Sequence, residues 1–152
     1  MKPSAIHLFM LKSLPAAYFA GVRVESLSTN QAIARVKHKW INQNPFKSIY
    51  FAVLAMAAEL STGILVMQAI RHSPSQFSML VVENQSVFHK KATGVVRFTC
   101  DDGEKLSAEM KACETSENNA RSFWMSSIGK NQQGEEVATF HFKWSIKQKN
   151  RS

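Results

Sequence analysis

Residues 48–71 read SIYFAVLAMAAELSTGILVMQAIR, and this stretch decides the fold. It holds no proline and is rich in Ala, Leu and Met. Loops by composition bound it: NQNPFK before, with Pro45, and His72-Ser73-Pro74 after. Ser48 is a good N-cap residue, so the spacing predicts a long helix from about residue 49 to residue 71. A helix apolar on every side is a buried helix. One charge interrupts it, the carboxylate of Glu59.

Outward from this helix the pattern changes to strands. Residues 21–28 and 31–40 form a hairpin around Asn30, with Ala32, Ala34 and Val36 alternating against Arg35, Lys37 and Lys39. Residues 77–89 and 95–101 follow as strands. A short helix over 103–117 has Asp102 as its cap and Leu106, Met110 and Cys113 on one stripe. Residues 121–130 return as a strand, and Asn131 to Gly134 (NQQG) make a turn. In the last strand Ala138, Phe140, Phe142, Trp144 and Ile146 alternate with polar residues. A short amphipathic helix over residues 4–13, closed by Pro15, precedes everything. Strands segregated around one helix argue for an α+β class. We expect one domain over residues 1–148 and a disordered basic tail at 149–152.

Bulk properties narrow the field. A chain of 152 residues with 45% hydrophobic content builds one core without staples. Cys100 and Cys113 have no metal-ligand spacing and read as packed thiols of a reducing compartment, which points to the cytoplasm; a bridge between them stays open. The five histidines show no ligand spacing either, so no metal is expected. A net charge of +8 favours an anionic partner. The basic residues are scattered and no nucleic-acid-binding motif accompanies them, so nucleic acid is not expected. The N-terminal apolar stretch is broken by His7 and Lys12 and lacks a good cleavage site. Residues 50–70 are long enough to span a bilayer. A central acidic residue there costs roughly 2.5–3.5 kcal/mol, however, and the flanking strands offer a soluble place to bury the helix, so no membrane span is expected.

Glu59 is the sharpest site candidate. A carboxylate in so apolar a helix must be paired, hydrated or protonated. It belongs to a functional cleft, to an exposed edge, or to a pair with a lysine of the sheet. Thr62 lies one turn on and could help hold a water. The helix entrance is the second candidate, because the first amides lack intrahelical partners and carry the positive dipole end. Asn44-Pro45 could aim a side-chain amide at the same spot. Eight residues separate Phe51 from Glu59, about 12 Å of rise. Cooperation between the two therefore requires different subunits of a symmetric dimer. Met56 and Met67 are core filler, or the lining of an acyl-chain tunnel.

The segment NPFKSIYFAVLAMAAE, residues 44–59, resembles the signature of hotdog-fold acyl-CoA thioesterases of the phenylacetate-degradation type. That family places an Asn six residues before a His-Gly-Gly, with an acidic residue nine after the His. Asn44, Tyr50 and Glu59 keep this spacing. The likeness extends loosely over residues 17–147, nearest to an uncharacterised thioesterase-like branch. It implies a hotdog fold, a curved antiparallel sheet around one central helix, in homodimers and commonly homotetramers. It implies hydrolysis of acyl-CoA or acyl-carrier thioesters, with coenzyme A only as part of the substrate and no separate cofactor. Carried over, Glu59 is the base or nucleophile, the Phe51 amide the oxyanion donor and Asn44 the orienting group. Tyr50, Thr62, Lys90 and Lys91 would bind substrate, the lysines through coenzyme A phosphates. Tyr50-Phe51-Ala52 replaces His-Gly-Gly and puts bulk where the thioester carbonyl would approach. The alternative is a non-catalytic hotdog protein that binds fatty acyl groups or other apolar ligands. The Asp/His pair of the superfamily's dehydratases has no equivalent.

Overall fold

A computed structural model describes residues 3–149. Its elements are α1 (Pro3–Ser13), α2 (Pro15–Phe19), β1 (Arg23–Leu27), β2 (Ala32–Lys37), α3 (Phe51–His72), β3 (Phe77–Phe88), β4 (Val95–Cys100), α4 (Gly103–Glu114), β5 (Ala120–Lys130) and β6 (Glu136–Gln148). The strands form one six-stranded sheet in the order β1-β2-β4-β5-β6-β3. Every neighbouring pair is antiparallel.

The helix α3 lies in the concave face of this sheet and contacts β1, β2, β4, β5 and β6. Every residue from Leu60 to Val66 is buried. α3 is long and apolar enough to cross a membrane, and here it is the core helix of the domain instead. Alternate residues of the strands meet it: Val36, Phe98, Met125, Phe140 and Ile146 are among the most deeply buried. Each such side chain contributes roughly 1.5–3 kcal/mol of burial. Two polar links fix the helix against the sheet. Ser61 Oγ sits 2.7 Å from Ser127 Oγ on β5, and Trp144 Nε1 on β6 donates to Thr62 Oγ1 at 3.0 Å. On the side away from the sheet, Ile6, Met10 and Ala17 of α1 and α2 complete the core.

The helix begins later than residue 49. The Ile49 amide donates to Ala92 O (2.8 Å) and the Tyr50 amide to Asn42 O (2.9 Å), which holds both residues outside the helix. Tyr50 is therefore the N-cap residue, without a side-chain cap. Ser48, read from the sequence as the cap, is buried and bonded to Asn44. Other corrections are local. Pro15 opens a second short helix instead of only closing the first. β2 stops at Lys37, and Trp40–Asn42 form a 3-10 turn. That turn depends on Asn42, whose side chain accepts from the Lys39 amide and donates to Ala20 O and Lys37 O. Asp102 precedes α4, but its carboxylate does not cap that helix; it accepts the Ser126 amide instead (2.6 Å). The two cysteines are free and buried, and burial pushes the Cys100 thiol up to about 12. Of the expected tail, Lys149 is hydrogen-bonded through its amide to Gln76 O (2.8 Å); residues 150–152 lie outside the described residues.

Candidate active site

Glu59 projects from the middle of α3 towards the joint between α1 and α2. It shares with Met56 and Leu60 a cleft of about 290 Å³ whose opposite wall is Ser13 to Ala17. The side chain is half-buried. No hydrogen bond or ion pair reaches its carboxylate among the described residues, and the sheet lysines do not approach it. Burial without a compensating partner raises its pKa above the usual carboxylate value of 4.5. A carboxyl held this way retains affinity for a proton, as a general base needs.

Gly63 makes room for the Glu59 carboxylate. A Cβ at residue 63 would lie 2.9 Å from Glu59 Oε1 and 3.2 Å from the Trp144 ring. Thr62 is fully buried, and its hydroxyl donates to Glu59 O (2.9 Å) while accepting the Trp144 indole. Both hydrogen-bonding directions are thus engaged. Thr62 holds the helix and the indole in register and does not present its hydroxyl to the cleft.

The helix entrance is the second cluster. The amides of Phe51 and Ala52 find no acceptor among the described residues, so the positive end of α3 is free. The rings around it are crowded. Phe51 is 56% exposed and packs edge-on against Tyr50 (5.1 Å) and Phe88 (6.2 Å); Phe88 continues to Phe140 (5.6 Å). Asn44 sits before the entrance, but its carboxamide closes its own loop. Oδ1 accepts the Phe46 amide (3.0 Å) and the Ser48 amide (3.2 Å), and Nδ2 donates to Ser48 Oγ (3.0 Å). The Ile49–Ala92 bond brings the segment with Lys90 and Lys91 alongside. Lys90 is paired with Glu135 at 2.5 Å, and Lys91 is exposed.

The structure thus gathers Asn44, Tyr50, Phe51 and the Lys90–Lys91 segment at one end of α3 and leaves Glu59 in a different cleft within the same chain. The sequence reading missed the wall formed by residues 13–17. Pro15 carried the only signal, since a proline favours a helix's first turn as much as it stops the preceding one. It also missed Trp144, whose place in a buried strand hid its indole bond to Thr62. Among the described residues, no three His, Cys, Asp or Glu side chains gather as a metal site.

Comparison with known proteins is consistent with this architecture. The model of a family described as a domain of unknown function, DUF4442, matches residues 5–146. No curated protein matches the chain. Among solved structures, a Pseudomonas aeruginosa protein of unknown function, described as a "Probable Thioesterase", is 22% identical over 97% of both chains, with a TM-score of 0.81. A Shewanella oneidensis protein proposed as a thioesterase is 8% identical, covering 95% of this chain and 96% of its own, with a TM-score of 0.79. A variant of a Staphylococcus aureus thioesterase enzyme is 11% identical, covering 83% of this chain and 93% of its own, with a TM-score of 0.63. At these identities the likeness establishes the fold, a hotdog: an antiparallel sheet wrapped around one long helix.

Proposed function

The chain belongs to the DUF4442 family, and from that premise we propose that it is a hotdog hydrolase that cleaves acyl thioesters at a site shared by two subunits. The observation that carries this reading is the half-buried carboxylate of Glu59, which has no partner among the described residues and lies beside an apolar cleft. Glu59 takes a proton from water, and the hydroxide adds to the thioester carbonyl. The free amides at Phe51 and Ala52 receive the oxyanion. The carbon–sulfur bond then breaks, and the thiolate leaves with the proton.

The Phe51 amide and Glu59 of one chain are too far apart to act on one carbon, so the second subunit supplies the missing half. The free edge of the sheet supports such a dimer. β3 is a 12-residue edge strand with Leu80 and Val82 exposed in its first half and Val87 and Phe88 at its end, where Phe88 meets Phe51. A long edge strand that carries exposed apolar side chains is what a second copy would cover. Coenzyme A or an acyl-carrier thiol is the leaving group in this reading. Lys90 is paired with Glu135 and Lys91 is exposed, so in this reading Lys91 would be the lysine that meets phosphate. Asn44 acts by shaping the loop into the entrance, Tyr50 lines it and Thr62 fixes the helix behind Glu59. A cytoplasmic setting fits the two free thiols.

A second reading is binding without turnover. It is favoured by the Tyr50 and Phe51 rings, which flank the amides an oxyanion would need. One experiment separates the two. Purified protein and the Glu59→Ala variant are offered acyl-CoAs of graded chain length. Hydrolysis by the wild type alone supports the thioesterase. Equal rates in both, with an acyl ligand retained through purification, establish the binding protein instead.

A further inference from the structure

The cleft beside Glu59 has a direction. Met56, Glu59 and Leu60 line it from α3, at the three- and four-residue spacings that put side chains on one helix face. The next position on that face is Gly63, and there the Trp144 ring closes the surface, 3.2 Å from where a Cβ would stand. The space therefore runs back from Glu59 along Met56. Met67, the other methionine suited to a tunnel wall, does not line it.

The opposite wall is built into the fold. Ile6 and Met10 hold α1 in the core, and the Leu14 amide donates to Met10 O (2.8 Å) at the joint. The Val22 amide donates to Ala17 O (3.0 Å) and ties α2 to the residue before β1. Leu60 and Ala17 are buried and form the floor, while Leu14 and Met56 are half-buried. Ser13, Pro15 and Ala16 are exposed and form the rim.

The chemistry of this lining selects an occupant. Among the described residues, the lining holds no cation and no polar side chain other than Ser13 and Glu59. A charged group carried into the cleft loses water without gaining a partner, and it meets the Glu59 carboxylate. An alkyl chain exchanges water for Leu14, Met56 and Leu60 instead. At roughly 30 Å³ for one water or one methylene, a cleft of about 290 Å³ takes a chain of about eight carbons with its open rim unfilled.

Resting on the role of Glu59 as the base, we infer that this cleft is the acyl-chain subsite and that the substrates are thioesters of unbranched, uncharged acyl groups of medium length. The thioester carbonyl stands at Glu59, the chain lies along Met56 over Leu60, and the α1–α2 joint sets how much chain is accepted.

Binding and turnover are measured separately on the full chain. S-octyl-CoA, a thioether that cannot be hydrolysed, should bind about 10-fold or more tighter than S-methyl-CoA in calorimetry. Ala16→Trp fills the rim from an exposed position and should remove most of that difference. Met56→Ala lengthens the space and should raise the affinity for S-dodecyl-CoA relative to S-octyl-CoA, a change that misfolding does not produce. In turnover, octanoyl-CoA should exceed suberyl-CoA, of equal chain length with a terminal carboxylate, by about 10-fold or more in kcat/KM. Equal affinity for S-octyl-CoA and S-methyl-CoA overturns the inference. An octyl preference that neither variant alters, or suberyl-CoA turned over as fast as octanoyl-CoA, overturns it equally. Octyl binding that responds to both variants in a protein without hydrolytic activity supports the subsite and overturns only the hydrolytic role of Glu59.

Discussion

Glu59 Oε1 lies 2.9 Å from the point where a Cβ on Gly63 would stand, so the carboxylate rests in the space that a side chain one turn later would fill. A glycine inside a buried helix costs about 1 kcal/mol relative to alanine. At this position that cost leaves room for Glu59 and for the edge of the Trp144 ring. Gly63→Ala should therefore change stability by no more than about 1 kcal/mol, because improved helix propensity offsets the crowding. Its effect on thioester hydrolysis should be larger, a loss of about 10-fold or more, because the carboxylate must turn aside. Denaturant melts and initial rates on the same samples check both halves.

The raised pKa of Glu59 fixes the sign of a pH effect. Between 4.5 and the raised folded value, the native state binds more protons than the unfolded state. The group's contribution to stability therefore falls as pH rises through that window and is constant above it. Glu59→Gln has no such proton. Its melting temperature should exceed that of the wild type at pH 8, and the difference should close below 4.5. Differential scanning calorimetry across this range measures it. A difference that does not vary with pH would show that the carboxylate is not desolvated.

Thr62 and Trp144 test the support behind the site. Thr62→Val preserves shape but leaves the buried indole N–H without its acceptor, which costs roughly 1–3 kcal/mol. Thr62→Ser retains the acceptor and should lose much less. Urea unfolding followed by tryptophan fluorescence separates the two variants.

The shared site makes a prediction that stability measurements cannot mimic. Phe51→Pro removes the amide donor at the first position of α3, where proline is tolerated; Tyr50 already has the extended backbone that a following proline requires. Phe51→Pro and Glu59→Ala should each be inactive. Unfolded together and refolded, they should recover about a quarter of wild-type activity, because half the dimers are mixed and each carries one intact site. Leu80→Lys, at a position of β3 that is 64% exposed, should shift the protein to monomers in sedimentation and abolish hydrolysis.

The strands and the long helix were legible because each repeats a short-period pattern over many residues. β6 alternates from Ala138 to Ile146, and no proline interrupts residues 51–71. What escaped depends on contacts between distant residues. The helix start is set by Ala92 O and Asn42 O, which take the Ile49 and Tyr50 amides; no local signal at Ser48 reveals either. Asp102 looks like a cap in sequence and becomes a patch over the β4–β5 opening only because Ser126 passes beside it. In the site, the spacing of Asn44, Phe51 and Glu59 was readable. The loop that engages the Asn44 side chain, the edge-on rings around Phe51 and the wall opposite Glu59 were not.

That wall has a wider consequence. Residues 13–17 face Glu59, yet they belong to a segment that stands outside the sheet and the core helix. α1 touches mainly α2 and β1, and α2 reaches α3 beside the cleft. Ile6, Met10 and Ala17 tie this segment to the core, whereas Ser13, Pro15 and Ala16 are exposed. Substitutions at those three exposed positions can therefore reshape the space around the carboxylate while the frame folds as before.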